Sequence, residues 1–308
     1  VAAPQAQQAR SYHAEQTARA AAAAAAVAGL VSARKPWANV LSVFAAYQLA
    51  ATAAAVVTMA QWVGHGTPVI DPRVFAGVSS AGYPISEPLI ATIDRRVPAP
   101  AEPIPSPWWG RSDAAKFMRE IEQLIASEVQ DAARSAAQAE MVAGSTEETR
   151  YVRVLVPPSC KRCAVLAGKL YRDLDGFERH PGCDCIHAPF ESWEAAHKAG
   201  LVVSPEDAYA KGYIRDLTEG ERRAIDDGAD INQVINSASG VATADELGRR
   251  VKTTKYGATK RSLWRAQNPS ARVRLRPESI YRIVDEDQGG DRAIARQILQ
   301  QQGYILSA

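Results

Sequence analysis

From residue 36 to residue 70 the chain carries no Asp, Glu, Lys or Arg. A stretch that long without a charge must lie against other apolar atoms, in a bilayer or in a protein core. Residues 40–63 read VLSVFAAYQLAATAAAVVTMAQWV, long enough to span a membrane, but Ser42, Gln48, Thr52, Thr58 and Gln61 interrupt the run. Alanine gains less than leucine on leaving water, so a helix buried within an assembly is the expectation. The preceding segment contains seven consecutive alanines, residues 20–26, and alanine has the highest intrinsic helix propensity. Gly29 and Pro36 punctuate the pattern and predict two helices, over 5–32 and 37–63. Their thin side-chain layer lets a second backbone approach closely, which suits helix packing in an oligomer.

The pattern then breaks. Residues 64–110 hold turn formers at short intervals, and Pro98, Pro100, Pro103, Pro105 and Pro107 predict a semi-rigid spacer ending at Trp108 and Trp109. A long helix follows over 112–142. Phe117, Met118, Ile121, Leu124, Ile125, Val129, Ala132 and Ala136 form its apolar stripe, and Arg119, Glu120, Glu128 and Asp131 its wet face. Residues 151–156 read as a strand stopped by Pro157-Pro158. Beyond Pro189 the chain returns to short helices. Ser204-Pro205-Glu206 marks one start, and Thr218 with Glu221 three residues on marks a capping box. The expected fold is mainly α with a small α+β, cysteine-rich, zinc-knuckle-like module, in an elongated chain of several modules. The boundaries are 1–97 (alanine-rich helices, for assembly contacts), 98–144 (spacer and long helix), 145–190 (knuckle) and 191–308 (helical, with a basic stretch).

All four cysteines fall between Cys160 and Cys185. A secreted disulfide framework spreads its cysteines and follows a signal peptide; neither is recognisable, so synthesis in a reducing cytoplasm is expected. The order is Cys160-x2-Cys163, sixteen residues, His180-x2-Cys183, then Cys185. Two residues between cysteines let both thiolates face one point, as a tetrahedral zinc ion demands. Five candidates, Cys160, Cys163, His180, Cys183 and Cys185, compete for four positions. Cys183 and Cys185 point to opposite faces of a regular strand, which favours His180 as the fourth ligand. Four protein ligands leave no open position, so the Zn2+ would be structural. No GxSxG, Walker loop, GxGxxG or HExxH occurs, and no cysteine stands out as a nucleophile, so an enzyme is not expected.

The net charge is +2, yet residues 249–282 carry eleven Lys or Arg against the single acid Glu278. Arg249, Arg250, Lys252, Lys255, Lys260, Arg261, Arg265, Arg272, Arg274 and Arg276 are the candidate phosphate contacts, a solvated basic face being the plainer reading.

The order of strand, CxxC, a short aromatic segment and HPGCDC resembles the Mu F-like family of minor head proteins from tailed bacteriophages. DPRVFAGVSSAGYPI from Asp71, RRAIDDGADINQVINSA from Arg222, RLRPESIYRIV from Arg274 and DRAIARQILQQQGYIL from Asp291 resemble members from actinobacterial phages. The resemblance implies a minor capsid protein inside the head at the portal vertex, assisting head assembly and DNA packaging or ejection. It implies the portal protein as partner, the major capsid protein and packaged DNA as further contacts, and several copies per virion. It carries the knuckle onto the five cysteine and histidine positions above. The alternative is a capsid maturation protease of the same head-morphogenesis module.

Overall fold

The computed structural model describes residues 6–94, 111–147, 149–172, 185–246, 249–258 and 263–305. In chain order the first elements are α1 (Ala6–Ser32), α2 (Trp37–Trp62), a 3-10 turn (Pro72–Phe75), α3 (Ser86–Asp94) and α4 (Arg111–Gly144). Next come β1 (Arg150–Val154), β2 (Ser159–Cys160), α5 (Lys161–Leu166), β3 (Leu170–Tyr171), β4 (Ile186–Phe190) and α6 (Trp193–Lys198). Then follow α7 (Pro205–Ala210), β5 (Ile214–Arg215), α8 (Glu219–Asp226), α9 (Ile231–Asn236), β6 (Val241–Glu246) and β7 (Arg249–Thr254). The last are α10 (Leu263–Gln267), β8 (Arg274–Leu275), α11 (Pro277–Asp287) and α12 (Arg292–Gln301). The chain is mainly α with small sheets, as its periodicity predicts. It divides into two compact units, residues 1–156 with 169–202, and residues 157–168 with 203–308. The stretch 145–190, expected to be one module, is shared between them.

The first unit is built on α1, α2 and α4, which pack on one another. Phe44, Gln48, Ala51, Ala55, Met59 and Trp62 recur at three- and four-residue steps along α2, and all are buried. They meet Ala20, Ala23 and Val27 of α1, and Ile121, Ile125, Val129, Ala136 and Met141 of α4. Alanine on two helices lets this bundle close with few large side chains. Helix α2 is long and apolar enough to cross a membrane by length and composition, with 39% of its most apolar window buried. Its buried polar residues, Gln48 and Thr52, have protein partners. The Gln48 amide nitrogen donates to Val78 O at 2.9 Å and its oxygen accepts from Gly77 N at 2.8 Å; the Thr52 hydroxyl donates to Pro72 O at 3.1 Å.

Helix α4 completes this anchoring of the 64–85 loop. Glu140, fully buried, accepts the N–H groups of Val69 and Ile70 at 2.9–3.1 Å. Glu128 accepts Ser80 N at 2.6 Å and the Ser80 hydroxyl at 3.2 Å. Glu128 therefore does not belong to the wet face: it is 8% exposed, and burial raises its pKa above the usual carboxylate value. A buried carboxylate needs donors, and the loop backbone supplies them. Strand β1 sits between β3 and β4 in an antiparallel sheet, with Arg153 opposite His187.

The second unit has short elements with strong ends. Ser204, Thr218, Asp230 and Asp291 each accept a backbone N–H at the start of α7, α8, α9 and α12. The Thr218–Glu221 capping box is complete. One apolar cluster gathers Val234, Ile280, Val284, Ala295, Leu299 and Tyr304; a smaller one gathers Val165, Leu217, Ile231 and Ile235. Gly220 of α8 lies so near α11 that an added Cβ would stand 2.7 Å from Glu278 Cα. The region expected to be helical, with a basic stretch, also holds the antiparallel sheet β6–β7–β8. Its antiparallel register pairs Glu246 with Arg249, and in the sequence Leu247-Gly248 stand between those two positions. That X-Gly spacing with alternating Val251 and Thr253 is a hairpin signal, and the density of charge around it masks the alternation.

Candidate metal centre and basic surface

Strand β2 carries the first cysteine and is only two residues long. It pairs in parallel with β5, and Ser159 N donates to Tyr213 O at 2.8 Å. Cys160 then caps α5, its sulfur accepting the Cys163 N–H at 3.4 Å. A backbone N–H aimed at sulfur is the arrangement that orients a thiolate ligand. Both sulfur-bearing residues are buried, at 4% and 2% exposure.

The residues between the cysteines fasten this turn. Lys161 N donates to Asp216 at 2.9 Å, and the Lys161 ammonium donates to both oxygens of Glu221 at 2.8 Å. Glu221 is fully buried and also lies 3.6 Å from the Arg276 guanidinium. Arg162 bonds the Asn236 side chain. The CxxC turn is thus built into the second unit's frame. Glu221 was visible in the sequence as a capping residue; its larger role, neutralising Lys161 from sixty positions away, was not.

Cys185 belongs to the first unit. It is 1% exposed, and its sulfur accepts a hydrogen bond at 3.0 Å from Arg153, itself 2% exposed. A small cavity of about 40 Å³ lies beside Cys185 and His187, with His13, Gln16, Gln130 and Arg134 in its wall. It has room for water and none for a substrate. His180 and Cys183 lie outside the described residues. Among the described residues no three of His, Cys, Asp or Glu gather closely enough to hold a metal ion. The donor pair that is described, two buried sulfurs on one tight turn, fits half of a thiolate-rich zinc site.

The ten basic candidates separate by burial. Arg250, Lys252, Lys255 and Arg272 are exposed. Arg265, Arg274 and Arg276 are buried, at 8%, 1% and 8%, so phosphate cannot reach them as surface contacts. Arg274 lies under the Tyr304 ring at 4.2 Å and the Trp264 ring at 5.7 Å, and donates to the Gln233 side chain at 3.1 Å. Burial lowers its pKa from the usual arginine value. Arg276 pairs with Glu278 at 2.9 Å as well as facing Glu221. Arg274 and Arg276 thus tie together buried segments of the second unit. Lys260 and Arg261, and the side chain of Arg249, lie outside the described residues.

Residues 104–212 match the sequence profile of a family described as VG15 protein, a family of phage genes. The matched segment takes in α4, the β1 sheet and the whole cysteine segment. No curated protein and no solved structure matches the chain. The match supports a phage-encoded protein.

Proposed function

We propose that this phage-encoded chain is a minor capsid protein of the Mu F-like kind, inside the head at the portal vertex. There it would assist head assembly and the packaging or ejection of DNA. One observation carries the reading: the phage-gene family match over 104–212 falls on the segment with the strand, the CxxC turn and HPGCDC. The first unit suits a structural role. Its three long helices form a firm bundle, and its 64–85 loop is held by three buried side chains rather than left loose. The portal protein is the partner proposed, with several copies per virion and the major capsid protein as a further neighbour.

A structural zinc ion belongs to this reading. Cys160 and Cys163 would supply two thiolates, and His180 with Cys183 the remaining donors. The Arg153 guanidinium beside Cys185 supports leaving that sulfur out, since a buried cation next to a metal is electrostatically costly. The ion would add bonds that brace the fold and no reactive position.

A reconstruction of the virion's portal vertex without imposed icosahedral symmetry tests the location. Density for this chain inside the head, against the portal ring, is the expected result. Full occupancy in heads assembled without portal would overturn it. Elemental analysis of the purified chain is expected to return about one zinc per chain. Loss of zinc in Cys163→Ser and its retention in Cys185→Ser would support the ligand set; retention in Cys163→Ser would refute it.

A further inference from the structure

Burial removes three arginines from the basic stretch, and the exposed cations among the described residues gather around one strand. In β7, Val251 and Thr253 point inward and are buried, while Arg250 and Lys252 alternate with them and are exposed. Arg282 reaches in from α11, its guanidinium donating to Arg250 O at 2.8 Å, and is also exposed. At the other end, Lys255 follows the strand directly, its N–H on Gly240 O. Arg274 pairs with Thr254, so the antiparallel register carries exposed Arg272 towards that same end.

We infer that this outer face along β7 is a binding surface for duplex DNA, contacted through its phosphates without regard to sequence. The choice rests on the reading of the chain as an internal head protein, where packaged DNA is the polyanion at hand. The surface itself argues for phosphate. Residues 250–255 extend over roughly 17 Å at the rise of a strand. Duplex DNA carries about one negative charge per 1.7 Å of axis, so five cations over this length meet an excess of phosphates. Lys252 faces Thr243 across the hairpin, a hydroxyl that can donate to phosphate oxygen. Single-strand binding needs exposed rings for the bases, and Tyr256 at the strand's end is only half-exposed. Membrane binding needs apolar side chains to insert, and Val241 is the one large exposed example on this hairpin among the described residues.

The test is fluorescence anisotropy of the full chain with two duplexes of unrelated sequence, across about 50 to 200 mM salt. Four to five phosphate contacts predict a roughly 150- to 500-fold loss of affinity over that range, equal for both duplexes. The combined Arg250→Ala, Lys252→Ala, Lys255→Ala and Arg272→Ala variant should lose most of the salt dependence. Each of Arg250→Ala and Lys252→Ala alone should lower the slope by about one, which keeps the test valid if the combined variant misfolds. Arg34→Ala with Lys35→Ala, exposed cations of the first unit, should leave it unchanged. No binding at low salt, or equal losses in the Arg34 and Lys35 variant, would overturn the inference. Tighter binding to phosphatidylserine vesicles than to DNA, lost in the same β7 variants, would overturn it in favour of a membrane. Binding that survives while the chain proves absent from the portal vertex would leave this surface standing and remove only the proposed location.

Discussion

The two units solve the same problem, how to exclude water, with different materials. The first uses three helices of 27, 26 and 34 residues, long enough for a periodic stripe to bury itself against its neighbours. Its buried polar groups, Gln48, Glu128 and Glu140, face outward from the bundle to a loop and hold that loop down. In the second unit the longest helix has 11 residues, and no stripe is long enough to do the work alone. Side-chain caps start five of its helices, α5, α7, α8, α9 and α12, and a buried carboxylate between Lys161 and Arg276 joins segments distant in sequence. Long elements can be stabilised by repetition; short ones depend on particular contacts, each of which matters more.

That contrast can be broken at its strongest points first. Glu221→Ala leaves Lys161 and Arg276 without their shared counterion and should destabilise the second unit by about 3–5 kcal/mol. Trp264, the one tryptophan in that unit, reports its unfolding by fluorescence if the other five are replaced by Phe. A loss below about 1 kcal/mol would mean that the ion network is incidental. Phe44→Ala opens a cavity in the alanine-packed bundle and should cost about 3–5 kcal/mol, read by hydrogen exchange in α2 and α4. If that loss instead spreads equally over both units' amides, the units do not unfold separately. Gly220→Ala should cost about 1–3 kcal/mol in the second unit, because the new methyl meets the α11 backbone.

Smaller effects sharpen the picture. Asp291→Ala removes the acceptor for the Ala293 N–H at the start of α12 and should cost about 1 kcal/mol by denaturant titration. Glu128 tests the first unit by pH. Its pKa is raised on folding, so the folded state holds that proton more tightly than the unfolded state does. Its contribution is therefore most favourable below the ordinary glutamate pKa, and falls as pH rises through the raised value. Glu128→Gln should gain stability relative to the native chain as pH increases through that window, measured as a difference in Tm. A constant difference from about pH 4 to about pH 7 would show that Ser80 donates too well for burial to matter.

The long helices were legible because repetition writes them into the sequence many times over. Gly29, Pro36 and Gly144 mark boundaries within a few residues of the observed ends of α1, α2 and α4. Capped starts at Ser204 and Thr218 were legible for a local reason, since a cap and its N–H lie three residues apart. What was hidden depends on distant partners. Nothing near Arg274 foretells that Tyr304 and Trp264 enclose it, and nothing near Glu128 foretells Ser80. The two-residue strands β2, β3, β5 and β8 are too short to alternate visibly. At the candidate metal site, spacing picked out the cysteines, while the division of Cys160 and Cys163 from Cys185 between units is a property of the chain's path.

That path has a consequence for biosynthesis. The chain leaves the first unit after residue 156, returns at 169 and leaves again after 202, so each unit is assembled from two separated pieces. A ribosome must release residue 190 before β4 can join β1, and most of the remainder before the CxxC turn finds Glu221 and α11 in place. The first unit is complete in the nascent chain at residue 202 and can fold with residues 157–168 looped out, the second must wait for segments made later, and no single protease cut can release either unit intact from the other.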